Sequence, residues 1–362
     1  MFRALSNSVF RKTANPTPAR GRWLKRVVVA VAFAYPLLLL AAVMGLALVG
    51  ERTGLTAAGL YAPRVLFVVP LPFIVVALLW AGARRFWWTQ LIALGLVLFP
   101  LLGIVLPRWP RAQPSGPRLR VLSLNADSVS AGVPAVVSAV LEAAPDVVLI
   151  QETYSNRSAL ASGLGAHFPH VRASTEFVVA SRYPIASAAP LTVVASDPRH
   201  PVPTAYRCVI ETPLGSLVIY DMHPISPRGM LHVYRFADLL PELGSGRLWS
   251  KNPDFDPGGN TQLRVAELEA IAHAAASETV PLVIAGDSNS PGLSPALRRA
   301  LSGYLDGFSA VGSGLGYTYP AKRPFLRLDR IFVGQSLGFA SFHVGCAGAS
   351  DHLCVWADIV RR

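Results

Sequence analysis

The residues of this chain that could do chemistry collect where apolar runs stop. The run Pro281–Ile284 breaks off into Gly286-Asp287-Ser288-Asn289 and then Pro291. Apolar residues bounded by Gly and Pro read as a buried strand. Side chains alternate along an extended chain, so Asp287 and Asn289 are expected on one side at the mouth of a sheet. A carboxylate there accepts a proton from water, and an amide donates to an oxyanion. Taken alone, the stretch favours a plainer account, a turn in which Asp287 caps the helix beginning near Ser294-Pro295-Ala296.

The same placement recurs along the chain. Asn125 ends the strand Arg120–Asn125, Glu152 falls at the end of Pro145–Thr153, and His223 follows Leu217–Met222. Asp329 lies within the strand Arg327–Val333, and Asp351-His352 sit in the loop before the strand Cys354–Val360. Groups placed this way can converge on one edge of a sheet. Oxygen donors from Glu152, with Asp351 and Asn125, suit Mg²⁺ or Mn²⁺, whereas zinc would want more His or Cys. His352 beside an acid such as Asp329 is an oriented, protonatable imidazole. Singly, each has a structural account: Asn125 as a turn residue, His223 as a satisfied core histidine, Asp329 as the partner of Arg327 or Arg330.

The elements that must position these groups alternate in type. Helices are expected over Val133–Ala144 and Leu263–Ser277, and a hairpin over Tyr206–Met222 around Pro213-Leu214-Gly215. Phe177–Ile185 reads as a strand and a turn. Strands mixed with helices and hairpins imply a sheet core of two layers covered by helices. Residues 226–262, with Tyr234, Trp249 and Phe255, form a long segment that is either a substrate-reading loop or a variable surface excursion.

The N-terminal part is of a different kind. The hydrophobic content is 52% and the net charge +12, but the basicity is uneven. Residues 1–120 hold 15 Lys/Arg and one acid, Glu51; residues 121–362 hold 18 Lys/Arg and 20 acids. The first part is therefore +14 and the second −2, which argues against a phosphate-tracking groove on the globular part and makes nucleic acid an unfavoured partner. Apolar runs at 27–49, 65–83 and 88–106 predict three transmembrane helices, preceded by a basic cytoplasmic tail at 1–26. A cleaved signal peptide is the alternative for the first run, and a buried core hairpin for the other two. A Pro-rich linker, 107–118, would hold the domain 119–362 close to the bilayer, on the outer face if all three runs cross. Of Cys208, Cys346 and Cys354, the last two bracket the His352 loop. Either a bridge pins it or all three are buried thiols, and the thiols are slightly favoured.

Taken in order, Leu124-Asn125, Gln151-Glu152-Thr153, His223, Gly286-Asp287-Ser288-Asn289, Leu328-Asp329-Arg330 and Ser350-Asp351-His352 resemble the motif series of the endonuclease/exonuclease/phosphatase superfamily. Ser181-Arg182-Tyr183-Pro184-Ile185 is similar to a further segment of that family. The resemblance spans about 119–362. It implies an α/β fold, a four-layered αββα sandwich of the DNase-I-like kind, with a divalent metal. It also implies roles: Glu152 as main metal ligand supported by Asn125 and Asp351, Asp287 on the attacking water, Asn289 and His223 on phosphate oxygens, and His352 oriented by Asp329. Ser288, Arg330 and the Pro after His223 depart from the usual pattern, which blurs the substrate and removes no catalytic group.

Apolar runs ahead of such a domain resemble the membrane-anchored bacterial branch that includes VanJ-type proteins linked to teicoplanin resistance. The resulting expectation is a multi-pass, Mg²⁺-dependent phosphoesterase of the cell membrane with an extracytoplasmic domain. Its partner would be a membrane-presented phosphate ester or lipid pyrophosphate. A membrane-tethered nuclease and a non-catalytic lipid-ligand-binding resistance protein are the alternatives.

Overall fold

Central strands with apolar side chains on both faces dictate the architecture, because each face needs its own partner layer. The computed structural model describes residues 19–107, 116–192, 203–227 and 257–362. The basic residues Arg3, Arg11 and Lys12, most of the Pro-rich linker, and Tyr234, Trp249 and Phe255 lie outside the described residues. Two six-stranded mixed sheets form the core. The first has the order β11 (Leu337–Gly345), β12 (Cys354–Arg361), β1 (Leu119–Asn125), β2 (Val147–Gln151), β4 (Phe177–Ser181), β3 (His170–Ser174). The second has β5 (Ile185–Thr192), β6 (Pro203–Thr212), β7 (Gly215–Met222), β8 (Leu282–Asp287), β10 (Asp329–Val333), β9 (Leu305–Asp306). β1 and β2 are parallel, as are β7 and β8; the other pairs are antiparallel.

The period of two assigns each side chain to a layer. Val121, Leu149, Val179, Val283 and Ile331 fill the seam between the sheets. Their neighbours Leu122, Val148 and Val178 face outward onto helices α5 (Val133–Glu142) and α6 (Arg157–Gly165). On the other side, Leu282, Ile284 and Tyr220 pack against α7 (Pro257–Ala276) and α8 (Pro295–Ala300). The layers are thus helix, sheet, sheet, helix. Gly286 is required where β8 meets β7: its φ is +141°, and a Cβ there would lie 2.0 Å from the Met222 carbonyl oxygen.

The expectation of three membrane crossings is corrected by the N-terminal unit. Among the described residues, one continuous helical stretch, Gly21–Arg52, is long and apolar enough to cross a membrane, with 32 residues. It begins as α1 (Ala19–Met44) and continues through a π-helical and a 3₁₀ turn to Arg52. The second run instead folds as two segments, Leu55–Tyr61 and Arg64–Trp80, bent by 92° at a break that contains Pro63. They include α2 (Gly54–Tyr61) and α3 (Pro70–Trp80). The third run is α4 (Trp88–Leu96) extended by five π-helical residues around Pro100, too short for a ~30 Å layer. The call of three transmembrane helices therefore falls: one helix meets the length and composition for a crossing, or two if the bent pair is a single broken span. Large apolar side chains stand exposed along the unit, among them Leu37, Leu38, Phe73, Trp80, Leu91 and Ile92. A surface of that kind calls for an apolar partner.

Candidate active site

The polar residues at the ends of β1, β2, β7, β8 and β10 meet at one rim of the sandwich. Asn125 is buried between two acids: its Nδ2 donates to Glu152 Oε1 at 2.9 Å and to Asp287 Oδ2 at 3.2 Å. Its Oδ1 accepts the Asp127 backbone N–H at 3.0 Å. In this arrangement Asn125 is a donor that ties two carboxylates together, and serving as a metal ligand through Oδ1 requires a half-turn of the amide. Glu152 follows β2 with φ +54°, a left-handed conformation that a non-glycine residue adopts at a cost.

Asp287 and Asp329 are directly opposed in the β8–β10 ladder. Two buried acids face to face need a cation. His352 supplies one: its Nδ1 lies 2.9 Å from Asp329 Oδ2, and its Nε2 3.8 Å from Asp287 Oδ2. Burial works against protonation of His352, but Asp329 and Asp287 override it and raise the imidazole to about 9. Burial raises the Asp287 carboxyl, with His352 opposing. Tyr319 packs on the His352 ring at 4.6 Å between centroids.

A second imidazole is built the same way. His223 Nδ1 lies 3.0 Å from Glu176 Oε2, and its Nε2 is 3.4 Å from Glu152 Oε1, without hydrogen-bond geometry. Burial opposes its charge, and Glu176 and Glu152 overcome it, so His223 is raised well above the usual histidine range. Glu176, at the turn between β3 and β4, is a functional candidate that sequence reasoning missed. An acid in a hairpin turn reads as solvated, yet Glu176 is buried.

Asn289 differs from expectation. The chain leaves the strand before it, and Asn289 adopts φ +46°, so the alternation that would have aligned it with Asp287 no longer applies. Its backbone N–H donates to Asp287 Oδ1 at 2.8 Å, while its amide donates to the Pro224 carbonyl at 2.8 Å. Asp287 does not cap the following helix; Ser294 does, accepting from Leu297 N at 3.1 Å. Asp329 pairs with His352, while Arg327 and Arg330 both bind Asp306, at 2.8 and 3.0 Å. Burial raises the Asp306 carboxyl, but the two guanidiniums outweigh it and hold the group at about 2. Ser288 and Arg330 have structural duties, donating to the Leu328 and Ser290 carbonyls. Asp351 is half-buried and accepts from Ser350 Oγ at 3.4 Å. Cys346 and Cys354 form a disulfide across this loop, so the expectation of three free thiols is corrected; Cys208 is free and buried.

The charge balance tests the fit to a metal. Glu152, Glu176, Asp287 and Asp329 are four buried carboxylates facing two imidazoles raised toward the cationic form. Carboxylates outnumber imidazoles at this rim, and a cluster of buried oxygen donors of that kind suits a divalent cation. Among the described residues, one set of three acid or imidazole ligands closes within 4.8 Å, namely Asp287, Asp329 and His352. His352 is committed to Asp329 and held as imidazolium, so it is a poor ligand. The oxygen-rich side, Glu152, Asn125 and Asp287, fits a hard cation better.

A helix-covered double sheet with paired acids and two carboxylate-backed imidazoles at its rim defines a class of hydrolytic site. The chain belongs to the Endonuclease/Exonuclease/phosphatase family, whose model matches residues 122–352. Members of this family are phosphoester hydrolases. No curated protein matches the chain significantly. Similar solved structures include an endonuclease/exonuclease/phosphatase from Beutenbergia cavernae, with 18% identity, TM-score 0.48, and 67% of this chain and 72% of that one covered. Beta toxin from Staphylococcus aureus is similar at 14% identity and TM-score 0.47, covering 66% and 99%. A 3′ phosphatase from Neisseria, bound to a product DNA hairpin, is similar at 15% identity and TM-score 0.48, covering 66% and 98%.

Proposed function

We propose that the chain is a divalent-metal-dependent phosphoester hydrolase held at a membrane surface, with Mg²⁺ or Mn²⁺ bound by Glu152 and by Asn125 after its amide turns, while Asp351 adds negative charge beside His352. The observation that carries the reading is the cluster of buried carboxylates at a rim that also holds two carboxylate-backed imidazoles. The bound cation would supply charge neutralisation of the phosphate. Asp287 takes the proton of the attacking water, and its burial makes it a stronger base than a solvated carboxylate. The Asn289 N–H keeps Asp287 oriented. His352, fixed by Asp329, donates Nε2–H to a phosphoryl oxygen as charge develops there. His223, fixed by Glu176, holds a second oxygen.

The substrate class follows from the apolar unit. A single crossing by Gly21–Arg52, with Arg22, Lys25 and Arg26 at its start, leaves the globular domain opposite the basic tail. The disulfide beside the site supports an extracytoplasmic position. We therefore place the chain with the membrane-anchored, VanJ-type branch, and its substrate with membrane-presented phosphates such as an undecaprenyl (pyro)phosphate or a phospholipid head group. Full-length protein is assayed on such lipids with Mg²⁺ and with a chelator, alongside Glu152→Ala and Asp287→Ala. Each variant is expected to lose at least about 10³-fold in kcat. Undiminished hydrolysis by both variants would sink the proposal.

A further inference from the structure

The N-terminal unit does more than lie beside the site. The turn that follows Asp287 is gripped from that unit at several points. The hydroxyl of Tyr61, the last residue of α2, donates to the Asn289 carbonyl at 2.7 Å in a buried setting. Glu51 accepts from Ser294 Oγ, and Arg298 donates to the Ala47 carbonyl at 2.6 Å. Gly50 has φ +49°, and a Cβ on it would fall 2.3 Å from the Pro295 ring. Leu293 and Leu328, which flank the site in sequence, share an apolar cluster with Leu39, Leu46 and Leu60. Arg264 covers the Tyr61 ring at 5.7 Å.

Asn289 needs such support. Its left-handed backbone directs its N–H at Asp287 Oδ1, and a non-glycine residue holds that conformation only when its surroundings over-determine it. The amide side chain is tied to Pro224, and the carbonyl is tied to Tyr61. We propose that Tyr61 is a positioning residue: by holding the Asn289 carbonyl it sets the turn that orients Asp287, which makes the membrane-side helical unit a working part of the site. This rests on the hydrolase reading above for its catalytic consequence, but the hold on the turn is a separate, measurable property. Of the contacts between the unit and this turn, the Tyr61 hydroxyl is the one that reaches Asn289, the residue whose N–H holds Asp287.

The test uses full-length protein in detergent micelles, with bis(4-nitrophenyl) phosphate and Mg²⁺ as the probe reaction. Tyr61→Phe removes only the hydroxyl. It is expected to lower kcat about tenfold with KM within about twofold, since a small loss of orientation costs rate rather than binding. Leu60→Ala, in the same apolar cluster but with no bond to the turn, should lower Tm and leave kcat within about twofold. Hydrogen exchange of the metal-free protein is the second readout. The Asn289 amide should exchange at least about fivefold faster in Tyr61→Phe than in the wild type, at equal global stability. Unchanged exchange in Tyr61→Phe overturns the inference, and so does faster exchange with wild-type kcat. A wild-type protein that does not turn the probe over defeats the hydrolase reading instead, and the exchange rates alone then decide the role of Tyr61.

Discussion

The two histidine–carboxylate pairs are alike in that each joins one sheet to the other, and they differ in the acid that each imidazole faces. Asp329 comes from β10 of the second sheet and His352 from the β11–β12 loop of the first, and their pair faces Asp287 at 3.8 Å. His223 follows β7 of the second sheet and Glu176 lies in the β3–β4 turn of the first, and their pair faces Glu152 at 3.4 Å. One imidazole therefore stands over Asp287, the proposed water-activating acid, and the other over Glu152, the proposed cation ligand. The same local chemistry is given two tasks by which carboxylate lies beyond Nε2.

This contrast can be broken by substitution. His352→Ala should cost the most, about 10³-fold in kcat, with a smaller change in the Mg²⁺ concentration for half activity. His223→Ala should do the reverse, shifting the Mg²⁺ requirement and KM more than kcat. Equal effects of both on both parameters would erase the distinction. Next in size are the orienting acids. Asp329→Asn should cost about 10²-fold in kcat, and Glu176→Gln about tenfold with a raised Mg²⁺ requirement.

Protonation sharpens the same comparison. In the metal-free protein the folded His352 titrates at about 9, against ~6.5 in an unfolded chain. A raised imidazole contributes stability that is full below ~6.5 and is lost as pH rises through about 9. Urea melts in a chelator should therefore show about 3 kcal/mol of stability disappearing over that window, and Asp329→Asn should flatten the profile. A profile unchanged by Asp329→Asn would count against the pair. The smallest effect is expected from reduction of Cys346–Cys354. The closed loop is short, so about 2 kcal/mol of stability and a few-fold of kcat should be lost, while the Mg²⁺ requirement governed by His223 stays put.

Much of the fold was legible because its strands are buried on both faces. β1, β2, β4 and β8 announce themselves as short apolar runs punctuated by Gly, Pro or a polar residue. β3 and β11 did not: they are edge strands with much half-buried or exposed surface, and Gly338, Ser341 and Gly345 interrupt the pattern in β11. The helix α6 was missed for a related reason, since Ser and Gly dilute its apolar face. The site was legible as a set of strand ends, because a polar residue that terminates a buried run must emerge at a rim.

What the sequence by itself determined is the alternation of apolar layers and the identity of the groups at their ends; both are local, set by side-chain type and the period of the strand. The tertiary structure alone decided what those groups touch. Glu176 reaches His223 across 47 positions and Tyr61 reaches Asn289 across 228, distances over which no local pattern carries information. It also decided that the Asn289 side chain turns to Pro224 while its backbone N–H holds Asp287, that Asn125 bridges two acids, and that one apolar run of three makes a continuous long helix. Each of these depends on where a proline, a left-handed residue or a distant carbonyl falls once the sheets have closed.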